Sequence, residues 1–138
     1  MTGKTILVTG ASGFTGRHFI AAAKQAGYRC VALSQHANER VPQADLCLAA
    51  NLLDRKALNS AVAEAAPDKI VHLAAVSFVA HDDTAEIYQT NLIGTLNLLN
   101  AAKNHAPEVK KILIASSANI YGNATRLPIT EDSPPQPM

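Results

Sequence analysis

The sequence predicts an α/β protein built on a doubly wound parallel sheet, incomplete at its C-terminal side. Short apolar runs alternate along the 138 residues with longer stretches of helical periodicity. The runs are continuously apolar, as strands buried on both faces are, and do not alternate with polar residues. The first run ends in a glycine-rich turn that opens directly into a helix.

Taken in order, Ile6-Leu7-Val8 reads as the first strand, ending at Thr9-Gly10. Helical spacing begins at Phe14 and continues through Phe19, Ile20 and Ala23, and Gly27 stands where a glycine following a helix belongs. Cys30 to Leu33 forms a second strand, and Leu46 to Ala49 a brief third. Asp54 suits the N-cap of a helix whose apolar face carries Leu58, Ala61, Val62 and Ala65, closed by Pro67-Asp68. Ile70 to Ala75 reads as a fully buried fourth strand. A long helix is expected from about Thr84 to Asn104, with Ile87, Leu92, Leu96, Leu99 and Ala102 at helical spacing. Ile93 and Leu98 widen that stripe beyond what one packing face needs. Ile112 to Ala115 is the fifth strand and leads into Ser116-Ser117. After Gly122, Pro128, Pro134, Pro135 and Pro137 mark an irregular segment. No repeat or second domain interrupts residues 1–138.

Charged residues at 17% and apolar residues at 48% are the balance of a folded globular chain. A net charge of +1 with scattered Lys and Arg leaves no basic stripe, so no nucleic-acid partner is expected. No apolar run reaches the roughly 20 residues of a membrane span, and no signal peptide is seen, so the expected location is cytoplasmic. Cys30 and Cys47 fall in predicted strands and are expected to be buried free thiols.

The segment Thr9-Gly10-Ala11-Ser12-Gly13-Phe14-Thr15-Gly16 has the spacing GxxGxxG between a buried strand and a helix. Glycine serves such a loop by permitting a tight turn, close approach of backbone to pyrophosphate, and tight helix-on-strand packing. The helix start adds free N–H groups and a positive dipole end. Gly10, Ser12, Gly13, Phe14, Thr15 and Gly16 are therefore candidate cofactor-binding residues. An ordinary strand-to-helix turn is the competing reading.

With Thr9 in front, that spacing resembles the extended short-chain dehydrogenase/reductase family, specifically its nucleotide-sugar-modifying epimerase/dehydratase branch. Four further stretches carry the resemblance. Asn51-Leu52-Leu53-Asp54 looks like the family's adenine-holding segment, and His72-Leu73-Ala74-Ala75 like the strand-four segment on the adenosine side. Asn91 to Leu99 is similar to its long helix, and Ser116-Ser117-Ala118-Asn119-Ile120-Tyr121-Gly122 to its catalytic-serine loop. The resemblance implies a Rossmann fold binding NAD or NADP, and adds Asn51, Leu52, Leu73, Ala74, Ala75 and Asn91 to the cofactor-binding candidates. It also implies a catalytic role for Ser117, whose hydroxyl could bond the reacting sugar oxygen. A serine that merely caps its own loop is the alternative.

In that family the Ser or Thr works with a Tyr-x-x-x-Lys pair. The three tyrosines here, Tyr28, Tyr88 and Tyr121, have no Lys four residues on. The expectation is therefore an N-terminal portion of such an enzyme, truncated before that motif and the substrate lobe, and inactive alone. Ala118 and Asn119 stand where related dehydratases carry acids, so a 4-epimerase or 4-ketosugar reductase acting on a nucleotide-linked sugar is expected in the full-length parent. A non-catalytic dinucleotide-binding or protein-interaction module is the alternative from another class; a methyltransferase fits the glycine spacing poorly.

At the end of strand two, where NAD-specific relatives place an acid, stands Ser34-Gln35-His36, with Arg40 further on. Ser34, a further cofactor-binding candidate, would not repel a 2′-phosphate, which tilts the expectation towards NADP. Asn51 could accept from the adenine amino group or simply form a turn. His81-Asp82-Asp83 and His36 match no familiar metal spacing. His72 reads as a hydrogen-bonded core histidine, and no GxSxG elbow marks a hydrolase. Finally, Ile87, Leu92, Ile93 and Leu98 cannot all be covered by one sheet, so a homodimer or self-association through residues 84–104 is expected.

Overall fold

Five strands form one parallel sheet in a computed structural model that describes residues 3–76, 83–124 and 126–138. They are β1 (Thr5–Thr9), β2 (Arg29–Ser34), β3 (Leu46–Ala49), β4 (Lys69–His72) and β5 (Lys111–Ile114), in the spatial order β3-β2-β1-β4-β5. The chain winds outward from β1 in one direction, then returns past it to wind in the other. That reversal between β1 and β4 is the switch point at which open sheets of this kind bind ligands beyond their strand carboxyl ends. β1 sits between its neighbours with Val8 opposite Ala32 on one side and Val71 on the other.

Alternation along each central strand feeds two separate cores. Leu7, Val31 and Ile70 point to one face, where they pack with Leu58 and Val62 of α2 (Arg55–Ala65) and Leu98 and Ala102 of α4 (Gly94–His105). Ile6, Val8, Ala32 and Val71 point to the other, against Ile20 and Ala23 of α1 (Phe14–Gln25). Burial on both sides explains why the strands carry no polar alternation. The helix ends are closed as their sequences suggest. The Asp54 carboxylate accepts from the N–H groups of Lys56 and Ala57 at the start of α2. Gly27, at φ +82°, ends α1 with Tyr28 N–H on Ala23 O and Gly27 N–H on Lys24 O, the paired bonds of a Schellman turn.

The structure departs from the sequence reading in five places. The fourth strand ends at His72, and Leu73 to Ala75 run on outside the ladder. The long helix is α3 (Thr84–Tyr88) joined to α4 through a wider π turn, Gln89–Ile93. Leu98 is fully buried, because the side of α4 that carries it with Ala101 and Ala102 lies on α2; the outward stripe is Tyr88, Leu92, Leu96 and Leu99. Cys30 is buried but Cys47 is exposed, since it shares the face of Ala32 on an edge strand. Leu113 and Ile114 of β5 are about half exposed, at 50% and 47%. Leu113 lies opposite Val71, so it faces the α1 side of the sheet, beyond the reach of α1's packing.

Candidate functional site

Three glycines of the loop between β1 and α1 do different work. Gly10 holds φ +64°, and a Cβ there would stand 2.6 Å from Ala74 N, so it is required both by conformation and by closeness to the segment after β4. A Cβ on Gly16 would meet the Gly10 carbonyl oxygen and lie 2.7 Å from Ala11 Cα, which seats α1 on the turn. A Cβ on Gly13 would meet, among the described residues beyond its chain neighbours, only Gly10 O at 3.3 Å, and the remaining space there is open. Gly13 is also the N-cap of α1 and offers no side chain, and the first turn of the helix has no acid. The N–H groups of Phe14, Thr15 and Gly16 therefore lack helical acceptors and face outward with the positive end of the helix dipole.

A cleft of about 680 Å³ opens over this loop at the carboxyl ends of β1, β2 and β4. Gly10, Ser12, Gly13, Phe14, Thr15, Gly16, Ser34, Asn51, Leu52, Leu73, Ala74 and Ala75 all line it. Ser34 is 6% exposed, and its Oγ is buried without a hydrogen-bond partner. A buried hydroxyl in that state is costly to the free protein, and a ligand hydroxyl in the cleft would relieve it. The open face at Gly13 leaves room for an anionic group on the helix-start N–H groups, and this orphaned oxygen can bond a hydroxyl. Asn51 Oδ1 accepts from Leu53 N–H at 2.8 Å, the turn predicted as its alternative role, while its residue still faces the cleft. Leu52 is fixed from behind by Asn97, whose Nδ2 donates to the Leu52 carbonyl at 2.9 Å.

Beneath the cleft a polar thread joins three elements. Thr95 Oγ1 donates to Asn91 O at 2.6 Å, so it accepts from His72 Nε2 at 2.8 Å. That leaves His72 Nδ1 to accept from Thr9 Oγ1 at 2.6 Å, while Thr9 Oγ1 accepts from Ala74 N–H at 3.2 Å. Every member is satisfied by a neutral imidazole, and burial lowers the His72 pKa in keeping with that form. His72 is thus the hydrogen-bonded core residue expected. Asn91 does not line the cleft: its amide bonds both the N–H and the carbonyl of Val76, at 2.8 and 3.0 Å, and so holds the segment that does.

Ser117 lies elsewhere, exposed and outside the cleft lining. Its Oγ accepts from Asn119 N–H at 3.2 Å and starts the short 3-10 turn Ala118–Tyr121. Among the described residues one tyrosine does meet a lysine: Lys69 Nζ donates to Tyr28 OH at 2.8 Å, and this bond, then the lysine charge, lowers the phenol's pKa. Tyr28 precedes β2 and Lys69 begins β4, so the pair stands at the amino ends of the strands, the opposite edge from the cleft. His81 and Asp82 lie outside the described residues, and Asp83 caps α3 through Glu86 N–H. No group of three metal-ligating side chains occurs among the described residues, and no described helix is long and apolar enough to cross a membrane.

Sequence reasoning missed Glu39, Glu86 and Thr90, which also line the cleft. For Glu39 the signal was Val41: an apolar residue in a polar loop marks an anchor, and an anchor fixes which neighbours turn inward.

A family profile described as the NAD dependent epimerase/dehydratase family matches residues 6–138. The chain is 35% identical over 141 residues to the UDP-glucose 4-epimerase of Bacillus subtilis, covering 94% of this chain and 41% of that protein. UDP-glucose 4-epimerase from Bifidobacterium longum, solved in complex with NAD+ and UDP, superposes with a TM-score of 0.83 at 31% identity, over 96% of this chain and 43% of that one. The Brucella ovis enzyme in complex with NAD gives 0.84 at 28% identity, over 99% and 42%. The chain thus spans about two fifths of each of these three relatives. The dinucleotide in both structures is NAD, and nothing in them supports the tilt towards NADP.

Proposed function

Because the chain belongs to the NAD dependent epimerase/dehydratase family, we propose that it is the dinucleotide-binding portion of an epimerase or reductase acting on a nucleotide-linked sugar. The observation that carries this reading is the open cradle at Gly13 set against the uncapped start of α1. There the pyrophosphate would rest on the N–H groups of Phe14, Thr15 and Gly16, with Gly10 and Gly16 holding the backbone in place. Ser34 and Asn51 would meet the adenosine end, and Leu52, Leu73, Ala74 and Ala75 would wall it. Asn91 acts through Val76 as a positioning residue. The bound dinucleotide would supply the hydride acceptor and donor.

Ser117 would orient a substrate oxygen, but a serine hydroxyl delivers no proton at neutral pH without a partner. Help from a general acid or base of this kind is typically worth about 10²–10⁴ in rate. The 138-residue chain alone is therefore proposed to bind the dinucleotide without turning over sugar, since none of Tyr28, Tyr88 and Tyr121 has a Lys four residues on. Ala118 and Asn119, which carry no titrating group, weigh against dehydration. The stripe of Tyr88, Leu92, Leu96 and Leu99 is proposed to pair with a second copy of the chain, which sedimentation at increasing concentration would detect.

Titration calorimetry with NAD tests the central claim. Gly13→Val fills the cradle without touching the core, so the fold should persist while affinity falls at least about a hundredfold. Unchanged affinity in that variant would remove the pyrophosphate from the loop.

A further inference from the structure

We infer that Glu39, and not the strand-end residue, sets the choice between NAD and NADP in this chain, with Ser34 bonding the ribose hydroxyls. The inference rests on the dinucleotide reading of the cleft. Ser34 closes β2 with a hydroxyl that can donate once and accept twice, but it carries no charge with which to refuse a phosphate. The refusal comes from five residues on. A turn closed by Glu39 N–H on the His36 carbonyl, at 3.2 Å, folds the chain back over the strand end. Val41, 4% exposed, then plugs into the core with Val8, Ile20 and Ala32. Between turn and plug, Glu39 lies half-buried on the cleft wall, and its neighbour Arg40 is exposed and off that wall. Among the described residues no hydrogen bond or ion pair occupies the Glu39 carboxylate.

The charge of the cleft points the same way. Its described lining carries Glu39 and Glu86 but no Lys or Arg. His36, on the same wall and exposed, is a single imidazole and offers no bidentate clamp. Arg17 stands off that lining, its Nε donating to the carbonyl of Ser12 at 2.7 Å. The pyrophosphate common to both dinucleotides has the helix start to meet it. A 2′-phosphate adds nearly two further negative charges at the adenosine end, against a carboxylate and with no Lys or Arg among the described residues of the wall to offset them.

The test is calorimetric binding of NAD and NADP, separately, to the 138-residue chain and three variants. The wild type should bind NAD at least about tenfold more tightly than NADP. Glu39→Gln keeps the shape and removes the charge, so the ratio should shrink to within about threefold, chiefly through stronger NADP binding. Glu39→Lys should invert the preference, and Ser34→Ala should weaken both ligands while leaving their ratio in place. A wild-type preference for NADP, or a ratio indifferent to Glu39→Gln, would overturn the inference while leaving the dinucleotide cleft intact. Failure of either ligand to bind would instead overturn the reading of the cleft, and this inference with it.

Discussion

On the glycine-loop side of the sheet, Leu7, Val8, Val31 and Ala32 are sealed between helices, and the cleft is held from behind by Asn97 at Leu52, by Asn91 at Val76 and by the buried Val41. On the serine-loop side, Leu113 and Ile114 stand half exposed and Ser117, among the described residues, bonds only its own turn. The two sides make different demands. Accepting a pyrophosphate on bare backbone needs a turn fixed to within a few tenths of an ångström, and local contacts can supply that. Acting on a sugar needs several side chains brought together from distant elements, and the described residues around Ser117 bring none. On the proposed function, binding and chemistry would be separable here, and substitutions can be chosen to strike one side at a time.

The largest effect should come from Gly16→Val. Its Cβ would meet Gly10 and Ala11 backbone, which cannot swing aside, so a loss of about 3 kcal/mol or more is expected in urea unfolding. A loss below about 1 kcal/mol would mean that the glycine side is slacker than its contacts imply. Next, α4 carries both conditions on one helix. Leu98→Ala should cost about 2–5 kcal/mol, whereas Leu96→Ala, half exposed, should cost less than about 0.5 kcal/mol and instead weaken self-association. Equal costs at the two positions would erase the distinction between the faces.

A smaller effect should appear with pH. Burial holds the His72 pKa below its ordinary 6.5 in the folded chain, so on acidification the unfolded chain takes up a proton first. The stability is fully present above 6.5 and is lost as pH falls from there through the lowered folded value. In His72→Gln the slope of unfolding free energy between about pH 7.5 and 5 should flatten, and an unchanged slope would assign it to another group. Asp45 acts in a separate, lower window. The lysine bonded to it and the Cys30 N–H depress its pKa, so its contribution is present above 3.8 and lost as pH falls through the depressed value. A small effect is also expected of Ser117→Ala: about 0.5–1 kcal/mol for a lost cap, with NAD affinity unmoved. A fall in affinity of more than about threefold would show that the serine loop reaches the cleft after all.

What could be read in advance divides along physical lines. Strands, the Asp54 cap and the Gly27 ending were legible because local patterns decide them. The cleft residues on the glycine loop were legible because backbone chemistry restricts which residues can stand there. Leu98 and Cys47 were misplaced because periodicity reports which positions are apolar and not which partner covers them; α2 and the sheet edge decided the outcome. The π turn left no trace in the pattern, since one wider turn only rotates the stripe. Glu39 went unweighed because its position depends on how a loop returns, and the strand-end rule looks no further than Ser34.

Asp45 carries a consequence of its own. Its Oδ2 accepts from Cys30 N–H at 2.7 Å, its N–H donates back to Cys30 O at 2.8 Å, and its Oδ1 takes Lys24 Nζ at 2.6 Å. The excursion that contains Ser34, Glu39 and Val41 is thus cinched shut at its base and tied to α1. Its ordering entropy is spent when the chain folds and not when a ligand arrives. Arrival of a dinucleotide at that wall should then be a single encounter, its rate proportional to ligand concentration without a plateau. A cofactor site whose wall had to close would saturate in rate as the ligand was raised.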